Sequence, residues 1–83
     1  MSSAMERMVA YHLARLNDKN PEVRIKSIEE LALLEATQAL DALEAVFRTD
    51  PDQEVRKAAQ KAGRVLWMLK AAEKRNDDDS RHS

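Results

Sequence analysis

Two aspartate–arginine pairs have a spacing that could do chemistry. Asp18 and Arg24 are six positions apart, and so are Asp50 and Arg56. A carboxylate and a guanidinium within reach form a forked, charge-assisted pair, because the planar donors of arginine match two carboxylate oxygens. The pairs sit in related heptapeptides, Asp18-Lys19-Asn20-Pro21-Glu22-Val23-Arg24 and Asp50-Pro51-Asp52-Gln53-Glu54-Val55-Arg56. The offset is 32 residues, from Asp18 to Asp50 and from Arg24 to Arg56. Recurrence favours structural turn pairs over solvated charges, with each arginine folded back over its own turn onto its own aspartate. Neither pair offers a reaction.

Other reactive side chains fall in unhelpful places. His12 lies within an apolar stripe, without a second histidine or carboxylate spaced to share a metal. It reads as a hydrogen-bonded, partly buried core histidine. His82 and the run Asp77-Asp78-Asp79 belong to a polar C-terminal stretch. Ser2, Ser3, Ser27 and Ser80 have no histidine in a favourable context, and the chain has no Gly-rich phosphate loop, His-Glu-x-x-His or Gly-x-Ser-x-Gly. Its acidic residues are interspersed with lysine and arginine, which serves solubility rather than acid–base work. The expectation is no catalytic residue, no cofactor and no metal.

The elements that must position the two heptapeptides are helices. Each copy reads as a turn that starts one: Asn20 caps and Pro21 takes the first helical position, and Asp50 and Pro51 do the same in the second copy. Glu22 and Glu54 fall in the first turn, where the helix dipole favours negative charge. Self-similarity at this period, with helical patterning on both sides, signals a helical solenoid. Helix one is expected over Ala4–Leu16, burying Met5, Met8, Val9, His12, Leu13 and Leu16. Helix two runs from Pro21 to Leu34, with Val23, Ser27, Leu31 and Leu34 on one face, Ile28 on its flank, and Ile25, Glu29 and Ala32 opposite. Helix three runs from Thr37, a possible cap, to Arg48, with Ala39, Leu40, Leu43, Val46 and Phe47 inward. Helix four runs from Pro51 to about Lys74, with Val55, Ala59, Ala62, Leu66 and Leu69 as its core face. Past Arg64 it becomes apolar nearly all round, which predicts burial on more than one side. Residues 76–83 are polar and lack periodicity, and read as a disordered tail.

Composition bounds the rest. Eighty-three residues make one domain with a modest core. Apolar residues make up 43% and aromatics 4%, which suits close-packed helices rather than a sheet. A net charge of -1 gives no strong field towards nucleic acid. The absence of cysteine excludes disulfides and thiolate zinc sites. No run reaches membrane-spanning length, and residues 1–20 lack a signal peptide's apolar centre, which points to the cytoplasm.

Asp18, Val23, Arg24, Ser27 and Leu31 in one unit, and Asp50, Val55, Arg56, Ala59 and Ala62 in the other, resemble the HEAT repeat family in its short bacterial form. Ala39-Leu40-Asp41-Ala42-Leu43 looks like that family's outer helix. The resemblance covers about residues 5–70. In two respects the chain departs from the pattern: Gly63 stands where the first unit has Leu31, and the turn between helices two and three lacks the usual glycine. The resemblance implies an all-α fold in residues 1–75: two helical hairpins, about 5–35 and 37–70, stacked as a short right-handed α-solenoid. The hairpins are expected to meet through helices one and three and through helices two and four. Some HEAT-like proteins, including bilin lyases, are longer, and nothing here reproduces their sites.

The resemblance also implies a protein-interaction module, a scaffold or accessory subunit, whose second helices line a concave face. Here that face carries Ile25, Glu29 and Ala32 from helix two, and Lys57, Lys61, Arg64 and Met68 from helix four. Trp67 adds an apolar end, since the 32-residue period puts it on a flank with no following repeat, where Gln60 replaces Ile28. A protein partner or a second copy of the chain is the expected occupant. The alternative is nucleic acid along helix four, where seven basic residues outnumber three acidic ones over 51–75. The overall charge, the acidic tail and the lack of interleaved aromatics argue against it.

Overall fold

The computed structural model describes the backbone of residues 3–82 and the side chains of residues 3–75. The chain forms α1 (Ala4–Arg15), α2 (Pro21–Leu33), a short 3-10 turn (Thr37–Ala39), α3 (Leu40–Thr49) and α4 (Gln53–His82). It is an all-α solenoid of two hairpins, α1–α2 and α3–α4, with no strand among the described residues.

Local chemistry sets each helix start. Ser3 accepts from the Glu6 N–H at 3.1 Å while Glu6 accepts from the Ser3 N–H at 3.0 Å, a capping box readable from Ser-x-x-Glu. Asn20 caps α2, its side chain accepting from the Glu22 N–H at 2.9 Å, with Pro21 at the first helical position. The expected start of α4 needs correction. Asp52, not Asp50, caps it, accepting from the Glu54 N–H at 2.8 Å and the Val55 N–H at 3.1 Å. Asp52 is the 32-residue counterpart of Asn20, so the turns match position by position although the proline moves. Thr37 opens the 3-10 turn rather than capping α3 by its side chain.

Between the hairpins, the missing glycine has a backbone consequence. Glu35 takes φ 54°, the left-handed position that usually ends a helix with glycine. The Ala36 N–H donates to the Leu31 carbonyl and the Glu35 N–H to the Ala32 carbonyl, each at 3.0 Å. This is the Schellman pattern, with Leu31 and Ala36 buried beneath it.

The core consists of Val9, Leu16, Ile28, Leu31, Ala36, Ala39, Leu43, Val55, Ala59, Ala62 and Leu66. Ala59 and Ala62 are small, so α4 can approach its neighbours closely. α4 packs against both α2 and α3, while α1 leans chiefly on α2 and has no substantial contact with α3. The expected α1–α3 stacking is therefore absent, and α2–α4 carries the join. For the same reason α1 buries little: Met5 and Met8 are about half exposed, contrary to expectation. Phe47 on α3 is 42% exposed rather than inward.

α4 also continues past the expected end near Lys74 to His82, and no proline or glycine follows Gly63 to stop it. The side chains of the expected tail, 76–83, lie outside the described residues.

Candidate partner-binding surface and the seam between repeats

The heptapeptides meet at a seam. Arg24 donates from Nε to Asp50 Oδ2 at 2.8 Å and from Nη2 to Asp50 Oδ1 at 3.0 Å. Its Nη1 donates to the Asp18 carbonyl at 2.8 Å and to the Lys19 carbonyl at 3.2 Å. The expected turn pairs are thus corrected. Arg24 does fold back over its own turn, but onto the backbone carbonyl of Asp18; the fork goes to the aspartate of the next repeat. Arg56 repeats the first half, with Nη1 donating to the Asp50 carbonyl at 2.7 Å. The reason lies in the turn itself. Each aspartate is already engaged across two residues, Asp18 Oδ1 by the Asn20 N–H and Asp50 Oδ1 by the Asp52 N–H, both at 2.9 Å. That pins the carboxylate to its turn, and the arginine behind it reaches the carbonyl.

The seam is shielded, with Arg24 and Asp50 side chains 12% and 7% exposed. Burial opposes ionisation of Asp50. The Arg24 hydrogen bonds, the Asp52 N–H and the charges of Arg24 and Arg56 together outweigh it and hold the carboxyl below its usual range.

The residues expected to bind a partner spread along α2 and α4. Ile25, Glu29 and Ala32 precede Lys57, Lys61 and Arg64 by one period each. Glu29, Lys57, Lys61, Arg64, Trp67 and Met68 are exposed, whereas Ile25 is half-buried and packs on the core. Lys57 lies 3.7 Å from Glu54 on its own helix. At roughly 100° per residue, Lys57, Lys61, Arg64 and Met68 form one ridge of α4. Arg56, Gln60, Gly63 and Trp67 form a neighbouring stripe.

The apolar end of α4 is not buried on several sides as its composition suggested. Leu66 is fully buried, but Val65 is 44%, Trp67 65% and Met68 67% exposed, because no element among the described residues covers that flank. Beside it runs a groove between α3 and α4, lined by Leu40, Phe47, Gly63, Trp67 and Ala71, with Asp41 and Glu44 on one wall and Lys70 and Lys74 on the other.

His12 is half-buried, edge-on to Tyr11 with ring centroids 5.1 Å apart. Its Nδ1 is buried without a hydrogen-bond partner among the described residues, whereas a hydrogen-bonded histidine was expected there. Among the described residues no group of three histidine, aspartate or glutamate side chains could hold a metal ion. No helix among them is long and apolar enough to cross a membrane.

A sequence model for HEAT repeats matches residues 3–63. No curated protein and no solved structure matches the chain.

Proposed function

Since the chain belongs to the HEAT repeat family, whose repeats are generally protein-interaction modules, we propose that it is a non-catalytic scaffold or accessory subunit, with residues 1–75 as the working unit. It holds a protein partner along the α4 ridge of Lys57, Lys61, Arg64 and Met68, with Glu29 and the edge of Ile25 continuing the surface onto α2, and Trp67 at its border. The carrying observation is the run Val65, Trp67 and Met68, large apolar side chains left open to solvent on a helix whose opposite face is fully buried. An apolar patch rimmed by charge on a small domain marks an interaction surface. Tryptophan, methionine and arginine are the residue types enriched at interface centres.

The test is affinity capture from the native source, comparing the wild type with Lys61→Glu/Arg64→Glu. Both residues are exposed, so the fold should survive the change. A protein retained by the wild type and lost by the variant supports the reading. An identical set of captured proteins counts against it. The row of exposed cations also favours a second reading, nucleic acid along the ridge. Titration of random duplex binding against salt separates the two, because phosphate contacts give a steep dependence.

A further inference from the structure

We propose that copies of this chain associate head to tail, with Arg56 of one copy forking onto Asp18 of the next. The inference goes beyond the partner-binding ridge and uses the outer faces of the two repeats, sharing with that ridge only Trp67 at its border.

The seam inside the chain supplies the pattern. There an arginine holds its own turn through a backbone carbonyl and forks onto the aspartate of the following repeat. Arg56 makes the first of these contacts, to the Asp50 carbonyl. Its Nε and Nη2 donate to no carboxylate among the described residues, and Asp50 feels Arg56 only as a nearby charge. Asp18 makes the acceptor's local contact, to the Asn20 N–H, and receives no arginine among the described residues. One end of the molecule therefore carries an unused fork, and the other an unused carboxylate already fixed in the receiving geometry. A second copy supplies both complements at once.

The helix surfaces agree. On α2 the stripe Arg24, Ile28 and Leu31 faces the second repeat, and Ile28 and Leu31 are 0% exposed. One period later the same stripe reads Arg56, Gln60 and Gly63, extended by Trp67. It is open: Gln60 is exposed, Trp67 is 65% exposed, and nothing lies within 4 Å of a Cβ placed on Gly63. The groove between α3 and α4 is thus the surface that a following hairpin would cover. The arriving α1–α2 hairpin carries exposed apolar side chains of its own, Met5, Met8 and Tyr11. Gln60 in place of Ile28 keeps the face wettable, so the association is reversible and concentration-dependent. Because donor and acceptor lie on different ends, the contact is heterologous and can propagate.

Sedimentation velocity across a concentration series tests this with two variants. Asp18→Asn keeps the turn acceptor and removes the charge; Arg56→Gln removes the fork. The wild type should form dimers and longer species. Each variant alone should associate at least about tenfold more weakly. Mixed together they should form a 1:1 dimer that grows no further, because each supplies the end the other lacks. Thermal melts of both variants verify that the fold is intact; should Arg56→Gln unfold, Arg56→Lys, which keeps the charge but loses the planar fork, replaces it. A wild type that stays monomeric at millimolar concentration, variants that associate like the wild type, or a mixture that stays monomeric would overturn the proposal.

Discussion

Arg24 and Asp50 stand 26 residues apart in sequence and hold two hairpins in register through a two-point fork, at 2.8 Å and 3.0 Å. A shielded ion pair is weak evidence for net stability, since desolvation offsets much of the attraction. Removing one partner is costly, however, because the other stays shielded and unpaired. Asp50→Asn keeps an acceptor for the Asp52 N–H and loses the charge, so at neutral pH it should cost about 1.5–3 kcal/mol. The pH dependence follows from the Asp50 carboxyl, which lies below its usual range in the folded chain. A group with a depressed folded pKa stabilises above its unfolded value, about 3.9 for aspartate, and the gain is lost as pH falls through the lower folded value. The gap between wild type and variant should be constant from neutral pH to about 5 and shrink below about 4. Urea melts across that range measure it; a gap independent of pH would mean that the charge contributes nothing.

Glu35 should be a point of easy gain. A non-glycine residue in the left-handed region costs roughly 1–2 kcal/mol, and glycine returns some of this through its larger unfolded-state entropy. Glu35→Gly should therefore stabilise by about 0.5–1 kcal/mol, read as a raised melting temperature. A lowered one would show that the Glu35 side chain contributes more than its backbone strain costs.

Leu43 is 1% exposed between α3 and α4. Leu43→Ala should cost roughly 2–5 kcal/mol, enough to unfold much of a domain this small. An unchanged melt would contradict the packing of α3 on α4.

Trp67, by contrast, is open to solvent. Trp67→Ala should change stability by less than about 0.5 kcal/mol and weaken partner binding or self-association by more than about 1 kcal/mol. The free protein should show the red emission of a hydrated indole. Blue-shifted emission together with collapse of the variant would make this side chain part of the core.

Much of the architecture was legible because helices are written locally. Period, caps and apolar stripes gave four helices, and Val55, Ala59, Ala62 and Leu66 were readable as one buried face. The seam was only half legible. Identical spacing within each heptapeptide made Arg24 and Asp18 look like partners, whereas the fork to Asp50 depends on how far one hairpin advances upon the next. Met5, Met8 and Phe47 lie on apolar stripes yet stay exposed, for a related reason. A stripe shows which side chains share a face, not whether a neighbour arrives to cover it, and α1 has no substantial contact with α3. Of the candidate surface, the exposed ridge could be read from helical spacing, but the half-burial of Ile25 needed three-dimensional packing.

The most direct test of the binding ridge is photo-crosslinking from defined positions in native-source extract. Benzoylphenylalanine at Lys61 or Met68 samples the ridge, and at Arg48 it samples an exposed position on α3. The ridge positions should both capture one and the same protein, and position 48 should not. Capture of that protein from position 48 alone, or capture of nucleic acid from the ridge, would contradict a protein-binding ridge on α4.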